Sequence, residues 1–163
     1  MKRLAMTIRL LFASVVFGMV LSPAWSQEAT RKLETLLLLP EPKAMRNALS
    51  VSPAGSKLTV LTPARETAKG IETYSPEAFQ ALGISVETFS KRAATAADKR
   101  LAALKPELIR DEQGRVLYAV FRGDSPLFAT LLAAPSLAKV FEPMFGNEIW
   151  LALPDRHALY VFP

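Results

Sequence analysis

The sequence lacks cysteine altogether and contains a single histidine, His157, among its 163 residues. Without cysteine there are no disulfide bonds, thiol nucleophiles or thiolate metal ligands. One histidine also excludes a metal site built from several imidazoles. The fold must therefore depend on a hydrophobic core, and we predict neither a cofactor nor a metal.

Long apolar runs are scarce, and the one at the amino terminus has the features of an export signal. Three basic and no acidic side chains precede an apolar run over residues 10–21, and the small residues Ala24 and Ser26 follow it. This is the three-part pattern of a secretory signal peptide. A membrane-spanning helix needs about 20 apolar residues, so the run is too short for an anchor. We predict cleavage after residues 1–26, export to the periplasm or the medium, and no membrane insertion afterwards.

The signal peptide also accounts for most of the chain's net positive charge. The whole sequence has 20 basic and 15 acidic side chains, and Lys2, Arg3 and Arg9 belong to the signal. The remaining 17 basic and 15 acidic side chains give residues 27–163 a net charge of +2. A nucleic-acid-binding domain usually carries a strong basic stripe. The sequence therefore predicts no nucleic-acid partner.

Residues 27–163 contain no low-complexity tract or long linker, and we predict one domain with one core. Leucine spacing predicts a helix over residues 29–39, and a second short helical piece follows over 43–49. Alternating β-branched residues predict a strand over 57–62 that ends at Pro63, with another strand over 71–74. Ser75 and Ser85 are predicted N-caps of two helices, the second of which runs to about Leu104.

Two hairpins and a helical segment complete the chain. The first hairpin is predicted over residues 107–122, and its second strand is apolar on both faces, as is typical of a central strand. Helical segments follow from Asp124 to Gly146, and the last hairpin covers residues 148–162. This order predicts an α+β domain with a mainly antiparallel sheet of hairpins and helices packed on one face.

Several features between residues 74 and 162 resemble the YtpQ-like family of uncharacterised bacterial proteins. They are the run from Ser75 to Gly83, the alanine-rich helix that follows, and an apolar segment at 127–132. The most specific feature is the final turn, Leu153-Pro154-Asp155-Arg156, between two apolar strands, although His157 replaces the family's acidic residue. The family has no established activity, so the resemblance implies a fold rather than a function.

The candidate binding residues lie at two turns. Arg122 and Asp124 flank a strand-to-helix junction, where exposed amides can bind an anion. Asp155, Arg156 and His157 share the final turn, where a charge pair and a titratable ring could meet a ligand. Ordinary turn and cap chemistry is the favoured explanation of both groups.

Two other patterns favour structural explanations. Ser136 and Lys139 have the Ser-x-x-Lys spacing of penicillin-binding enzymes, but the companion motifs of those enzymes are absent and Ser136 suits a helix cap. Tyr118, Trp150 and Tyr160 could line a groove, although their positions on alternating strands favour core packing.

No paired acid and base emerges from these patterns, and we predict no catalytic residues. The sequence favours an exported non-enzymatic domain that binds a protein partner or a small ligand. One alternative is a small hydrolase that uses Asp124, Asp155 and His157 at the hairpin ends. Another is a structural part of an envelope assembly, for which an exposed apolar patch or strand edge would be the sign.

Overall fold

The computed structural model describes residues 32–53 and 56–163, and residues Lys32–Pro163 form one compact unit. The predicted signal peptide lies outside the described residues. The strands are β1 Leu37–Pro42, β2 Thr59–Thr67, β3 Gly70–Thr73, β4 Glu107–Arg110, β5 Val116–Arg122, β6 Trp150–Asp155 and β7 Ala158–Phe162. The α-helices are α1 Pro76–Gln80, α2 Val86–Ala103 and α3 Leu137–Phe145, and 3-10 helices cover Lys43–Met45 and Phe128–Ala133.

The first sheet is antiparallel and has the order β1-β2-β3. The helix predicted over residues 29–39 is wrong throughout its described part, since residues 32–36 form neither helix nor strand and Leu37, Leu38 and Leu39 begin β1. All three leucines are buried, so both faces of this strand are covered, and burial on two faces produces an apolar run that resembles a helix in sequence. The strand predicted to stop at Pro63 continues through it to Thr67.

The helices that follow begin as their caps predict. The Ser75 hydroxyl accepts a hydrogen bond from the Ala78 amide at the start of α1, and the Ser85 hydroxyl accepts one from the Thr88 amide at the start of α2. Helix α2 buries one face, formed by Phe89, Ala93, Ala97 and Leu101. Its alanines allow the helix to lie close to its neighbours, which are β1 and the 3-10 helix Phe128–Ala133.

The second sheet is antiparallel and has the order β4-β5-β7-β6. Strand β5 therefore lies in the interior of the sheet, as its two apolar faces predicted. Strand β6 pairs with β7 in a hairpin that turns at Arg156 and His157, and a register irregularity separates Ala152 from Asp155. The first strand of the last hairpin, predicted over 148–153, thus begins and ends two residues later, at Trp150 and Asp155.

One face of this four-stranded sheet packs against the helices. The buried cluster unites Ala119, Phe121, Leu159 and Val161 of the sheet with residues of α2, α3 and the 3-10 helix Phe128–Ala133. The predicted α+β class, antiparallel pairing and helices on one face are confirmed, but the strands divide between two sheets. No helix in residues 32–53 and 56–163 is both long and apolar enough to cross a membrane.

Candidate functional site

The residues predicted at the two turns lie at the same end of the four-stranded sheet. The Gly123 amide donates a hydrogen bond to the His157 carbonyl oxygen at 3.3 Å. This bond joins the end of β5, with Arg122 and Asp124, to the hairpin that carries Asp155, Arg156 and His157. All five side chains are exposed to solvent. The chain therefore gathers the predicted residues at one exposed end of the sheet.

Three of these side chains already have partners within the fold. Arg122 forms a bidentate pair with Glu107 on β4, with Nε and Nη2 donating at 2.9 and 3.0 Å. The Asp155 carboxylate accepts a hydrogen bond from the His157 amide at 2.7 Å. Arg156 donates to the Ile71 carbonyl oxygen of β3 at 3.2 Å. Each contact closes a turn or joins strands, and no hydrogen bond among the described residues links an acid to the His157 ring.

Ser136 has a partner other than the lysine of its motif. Its hydroxyl donates to Oδ1 of Asp98 on α2 at 2.6 Å, and its amide donates to the same oxygen at 3.0 Å. Ser136 occupies the N-cap position of α3, but its side chain makes no capping hydrogen bond. Ser136 thus occupies the predicted cap position but does not act as a cap. Its hydroxyl donates to Asp98 instead, and this hydrogen bond links α3 to α2.

A buried charge cluster, which the sequence did not reveal, lies beside the first sheet. Arg100 of α2 is largely buried, and its three guanidinium nitrogens have no hydrogen-bond partner among the described residues. Its Nη1 lies 3.6 Å from the Glu34 carboxylate. Burial lowers the pKa of Arg100, while Glu34 and Glu66 oppose that shift. The cluster attaches α2 to the segment that precedes β1, and Glu34 also lines a cavity of about 300 Å³ with Leu36 and Ala96.

The exposed face of the four-stranded sheet is aromatic, which contradicts the predicted core packing of its rings. Strand register places Ile109, Tyr118, Phe162 and Trp150 side by side across β4, β5, β7 and β6. These four residues form the aromatic row. Trp150 is 72% exposed, and the other three are half-buried. None of the four belongs to the cluster that packs against the helices.

The rings of this face contact one another. The centroid of Tyr118 lies 5.3 Å from that of Phe162 and 5.9 Å from that of Tyr160, which stands beside the row on β7. Tyr160 and Phe162 lie almost parallel, 6.3 Å apart. Such contacts stabilise each ring by about 0.5–1.5 kcal/mol. Tyr118, Phe162 and Tyr160 thus form a packed aromatic patch, and Trp150 lies next to Phe162 by strand register.

A signal for this face was present in the sequence. On β5 the residues Tyr118 and Val120 alternate in phase with Arg122, whereas Ala119 and Phe121 have the opposite phase. Since successive side chains of a strand point to opposite faces, the charged residue marks the open side. Because Tyr118 and Arg122 are separated by an even number of positions on β5, the charge of Arg122 predicts that Tyr118 lies on the exposed face.

Shallow cavities flank β6, the outermost strand at one edge of the sheet. One of about 330 Å³ is lined mainly by Leu61, Leu132, Leu151 and Leu153. Another of about 430 Å³ lies at the start of the strand, between Ala138 of α3 and Trp150. The apolar surface therefore continues from the aromatic row around the edge of the sheet.

Within residues 32–53 and 56–163, no group of three or more acidic or histidine side chains is placed to hold a metal ion. No family model, curated protein or solved structure matches the chain. The site therefore has to be interpreted from its own chemistry.

Proposed function

We propose that the protein is an exported, non-enzymatic binding domain, and that the aromatic row is its binding surface. Export follows from the predicted signal peptide, and the predicted location is the periplasm or the medium. The observation that carries the proposal is the alignment of Ile109, Tyr118, Phe162 and Trp150 on one open sheet face. The resemblance to the YtpQ-like family remains a prediction that adds no activity.

The size of the row limits what it can bind. Four strands at a spacing of about 4.8 Å give the row a length of about 14 Å. A standard protein–protein interface buries about 800 Å² on each partner. The row therefore suits a narrow, extended ligand that crosses the strands.

The spacing of the rings favours a polypeptide in the polyproline II conformation. That helix advances about 3.1 Å per residue, so every third residue returns to the same side after about 9.3 Å. Tyr118 and Trp150 lie two strands apart, which corresponds to about 9.6 Å. Two prolines separated by two residues would thus contact these two rings, as in other aromatic surfaces that bind proline-rich segments.

The polar atoms of the row complement the same ligand. A polyproline II backbone has no internal hydrogen bonds, so its carbonyl oxygens are free acceptors. The Tyr118 and Tyr160 hydroxyls and the Trp150 indole N–H are donors at the ends of apolar rings. Arg122 and Glu107, at the end of the sheet beyond the row, neutralise each other.

This proposal is tested by titrating the protein with a peptide that carries proline at every third position. The protein is used in the form that the expressing cell releases. Calorimetric titration measures binding in every variant, including Trp150→Ala, and replacing each proline by alanine provides the control peptide. We expect Tyr118→Ala and Trp150→Ala to weaken binding at least about tenfold, the loss of one ring contact of about 1.5 kcal/mol.

Leu58→Ala is the matched control variant, because Leu58 is 80% exposed and lies outside the row. It should bind the peptide like the parent protein. Equal binding of the proline and alanine peptides would contradict the proposed ligand. If a soluble glycan bound instead of the peptide, and the same two variants lost that binding, the proposed surface would be supported and the proposed ligand contradicted.

A further inference from the structure

One end of the first sheet carries two large apolar side chains in open solvent. Leu58, just before β2, is 80% exposed, and Met45, in the short 3-10 helix after β1, is 62% exposed. Outside the aromatic row, the other exposed large apolar side chains in the described residues have an exposure of 50% or less. The 3-10 helix Lys43–Met45 has no buried residue. Neither Leu58 nor Met45 belongs to a buried cluster of the described residues.

Backbone hydrogen bonds hold the two segments side by side. The Lys43 amide donates to the Leu58 carbonyl oxygen at 2.7 Å, which continues the pairing of β1 with β2. The Ser56 hydroxyl donates to the Thr59 carbonyl oxygen at 2.9 Å and accepts from the Thr59 amide at 3.1 Å. Local bonds from a serine side chain fix a turn of this kind. Leu58 is thus presented on a closed turn beside the helix that carries Met45.

Basic side chains accompany these two apolar ones. Residues 42–58 contain Lys43, Arg46 and Lys57 and no acidic residue. All three are exposed, and none takes part in the ion pairs found within the described residues. The preceding residue, Glu41, is half-buried on β1, and this end keeps a net charge of +2 even when Glu41 is counted. We call this surface the basic tip, and it comprises Lys43, Met45, Arg46, Lys57 and Leu58.

We propose that the basic tip docks on the surface of an anionic phospholipid bilayer. Leu58 and Met45 enter the layer just below the headgroups, and the three cations contact lipid phosphates. Interfacial binding of this kind combines buried apolar surface with attraction to anionic lipids. Each Lys or Arg near such a surface strengthens the attraction. The contact stays within the interface and needs no membrane-spanning helix. The charge of the tip thus specifies an anionic partner, and its apolar side chains specify a partner with an accessible apolar interior.

An acidic protein would match the charge of the basic tip but not its form. A standard protein interface buries about 800 Å² on each partner around an enclosed apolar centre. The tip offers two apolar side chains on two turns. The neighbouring cavity of about 330 Å³ is lined by Ser56 and Thr59 but by neither Lys57 nor Leu58, so Leu58 stands outside that cavity. Projecting side chains without a pocket suit a deformable bilayer better than a shaped protein surface.

The membrane contact goes beyond the proposed peptide binding and does not depend on it. The aromatic row lies on the four-stranded sheet, whereas the basic tip lies at one end of the three-stranded sheet. Variants of the tip should therefore bind the proline-rich peptide like the parent protein. Loss of vesicle binding with peptide binding intact would contradict only the membrane contact. Loss of peptide binding with vesicle binding intact would contradict only the ligand.

Co-sedimentation with lipid vesicles tests the contribution of charge. The protein, in the form that the expressing cell releases, is mixed with phosphatidylcholine vesicles that either contain or lack phosphatidylglycerol. We expect binding to the anionic vesicles alone, and weaker binding at high salt. Lys57→Ala and Arg46→Ala should each weaken this binding about fivefold, whereas Lys57→Arg should bind like the parent.

Lys69→Ala is the matched control for the charge variants. Lys69 is exposed at the turn between β2 and β3, at the opposite end of the same sheet. Its loss should leave vesicle binding unchanged. Absence of binding to the anionic vesicles, or equal binding to both kinds of vesicle, would overturn the proposal.

A second set of variants tests whether the apolar side chains enter the bilayer. Leu58→Ala should weaken vesicle binding about tenfold, because a leucine side chain no longer leaves water. Leu117→Ala removes the same atoms at a site that is 48% exposed on β5, and it should have no effect. Undiminished vesicle binding by Leu58→Ala, together with binding of soluble polyglutamate, would assign the tip to an acidic protein partner and overturn the proposal.

Discussion

Both faces of the four-stranded sheet carry apolar side chains, but the two sets differ in how far they are buried. On the helical face, Phe121, Leu159 and Val161 are buried almost completely. On the open face, Tyr118, Phe162 and Trp150 remain partly in water. The first face is aliphatic apart from Phe121, whereas aromatic rings with polar ends dominate the second. We infer that the helical face determines stability and that the open face determines binding.

The largest effect is expected from a large-to-small change on the helical face. Phe121 is 2% exposed and contacts Phe141 of α3, with ring centroids 6.0 Å apart. Phe121→Ala should lower the free energy of unfolding by about 3–5 kcal/mol, because it leaves a cavity in a packed core. Tyr118→Ala, on the open face of the same strand, should cost about 0.5–1.5 kcal/mol of aromatic contact. Urea denaturation measures both, and equal costs would remove the distinction between the faces.

The second-largest loss of stability is expected from breaking the link between α2 and α3, which cover the helical face. Asp98→Ala should lower the free energy of unfolding by about 1–3 kcal/mol, because the amide and hydroxyl of Ser136 lose their acceptor. Ser136→Ala removes only one of the two donors and should cost less. Neither variant should change peptide affinity. A larger cost for Ser136→Ala than for Asp98→Ala in thermal denaturation would contradict this explanation.

The open face should show the reverse relation between stability and function. Trp150→Ala should change the free energy of unfolding by no more than about 0.5 kcal/mol, as is usual for exposed positions. The same change should abolish most peptide binding. Urea denaturation and peptide titration of one preparation provide the comparison. A loss of stability as large as that of Phe121→Ala would mean that the row belongs to the core.

The smallest effect is expected at the β4–β5 turn, which belongs to neither face. Burial raises the pKa of Asp111, but hydrogen bonds from Arg115 and Gln113 outweigh burial and lower the pKa overall. A lowered carboxyl pKa contributes stability above the unfolded value of about 3.9, and this contribution disappears as pH falls through the lowered value. Asp111→Asn should therefore destabilise the protein slightly at pH 7 and not at pH 2. Glu112→Gln, in the same turn, should show no such dependence.

Local signals predicted the helices and hairpins well because their determinants lie close in sequence. Ser75 and Ser85 bind amides three residues away, and Gly146 ends α3 with a φ of 85°, which glycine adopts easily. The failures concern distant contacts. The strand character of Leu37–Leu39 depends on pairing with residues 62–64, and the role of Ser136 depends on Asp98, 38 positions earlier.

The candidate site shows the same dependence on long-range pairing. The two turns were predicted as sites because charged residues cluster there in sequence, and the fold does bring Arg122 near Asp155–His157. The aromatic row is different, since its four members come from four strands spread over more than fifty residues. Only strand order and register place Ile109, Tyr118, Phe162 and Trp150 in line. The alternation of side chains along one strand can assign each ring to a face of the sheet. It cannot predict which rings of different strands lie side by side.

The hydrogen bond from Arg156 to Ile71 also links the two sheets in their local unfolding. Arg156 lies on the hairpin of the second sheet, donates to β3 of the first, and accepts from the Ala129 amide through its own carbonyl. Opening the β6–β7 hairpin therefore frees a carbonyl of β3 and an amide of the adjoining 3-10 helix in one step. Amides of cooperative units exchange with solvent together. In hydrogen exchange, β3 and the final hairpin should therefore behave as one unit, although their nearest ends, Thr73 and Trp150, are 77 positions apart in sequence.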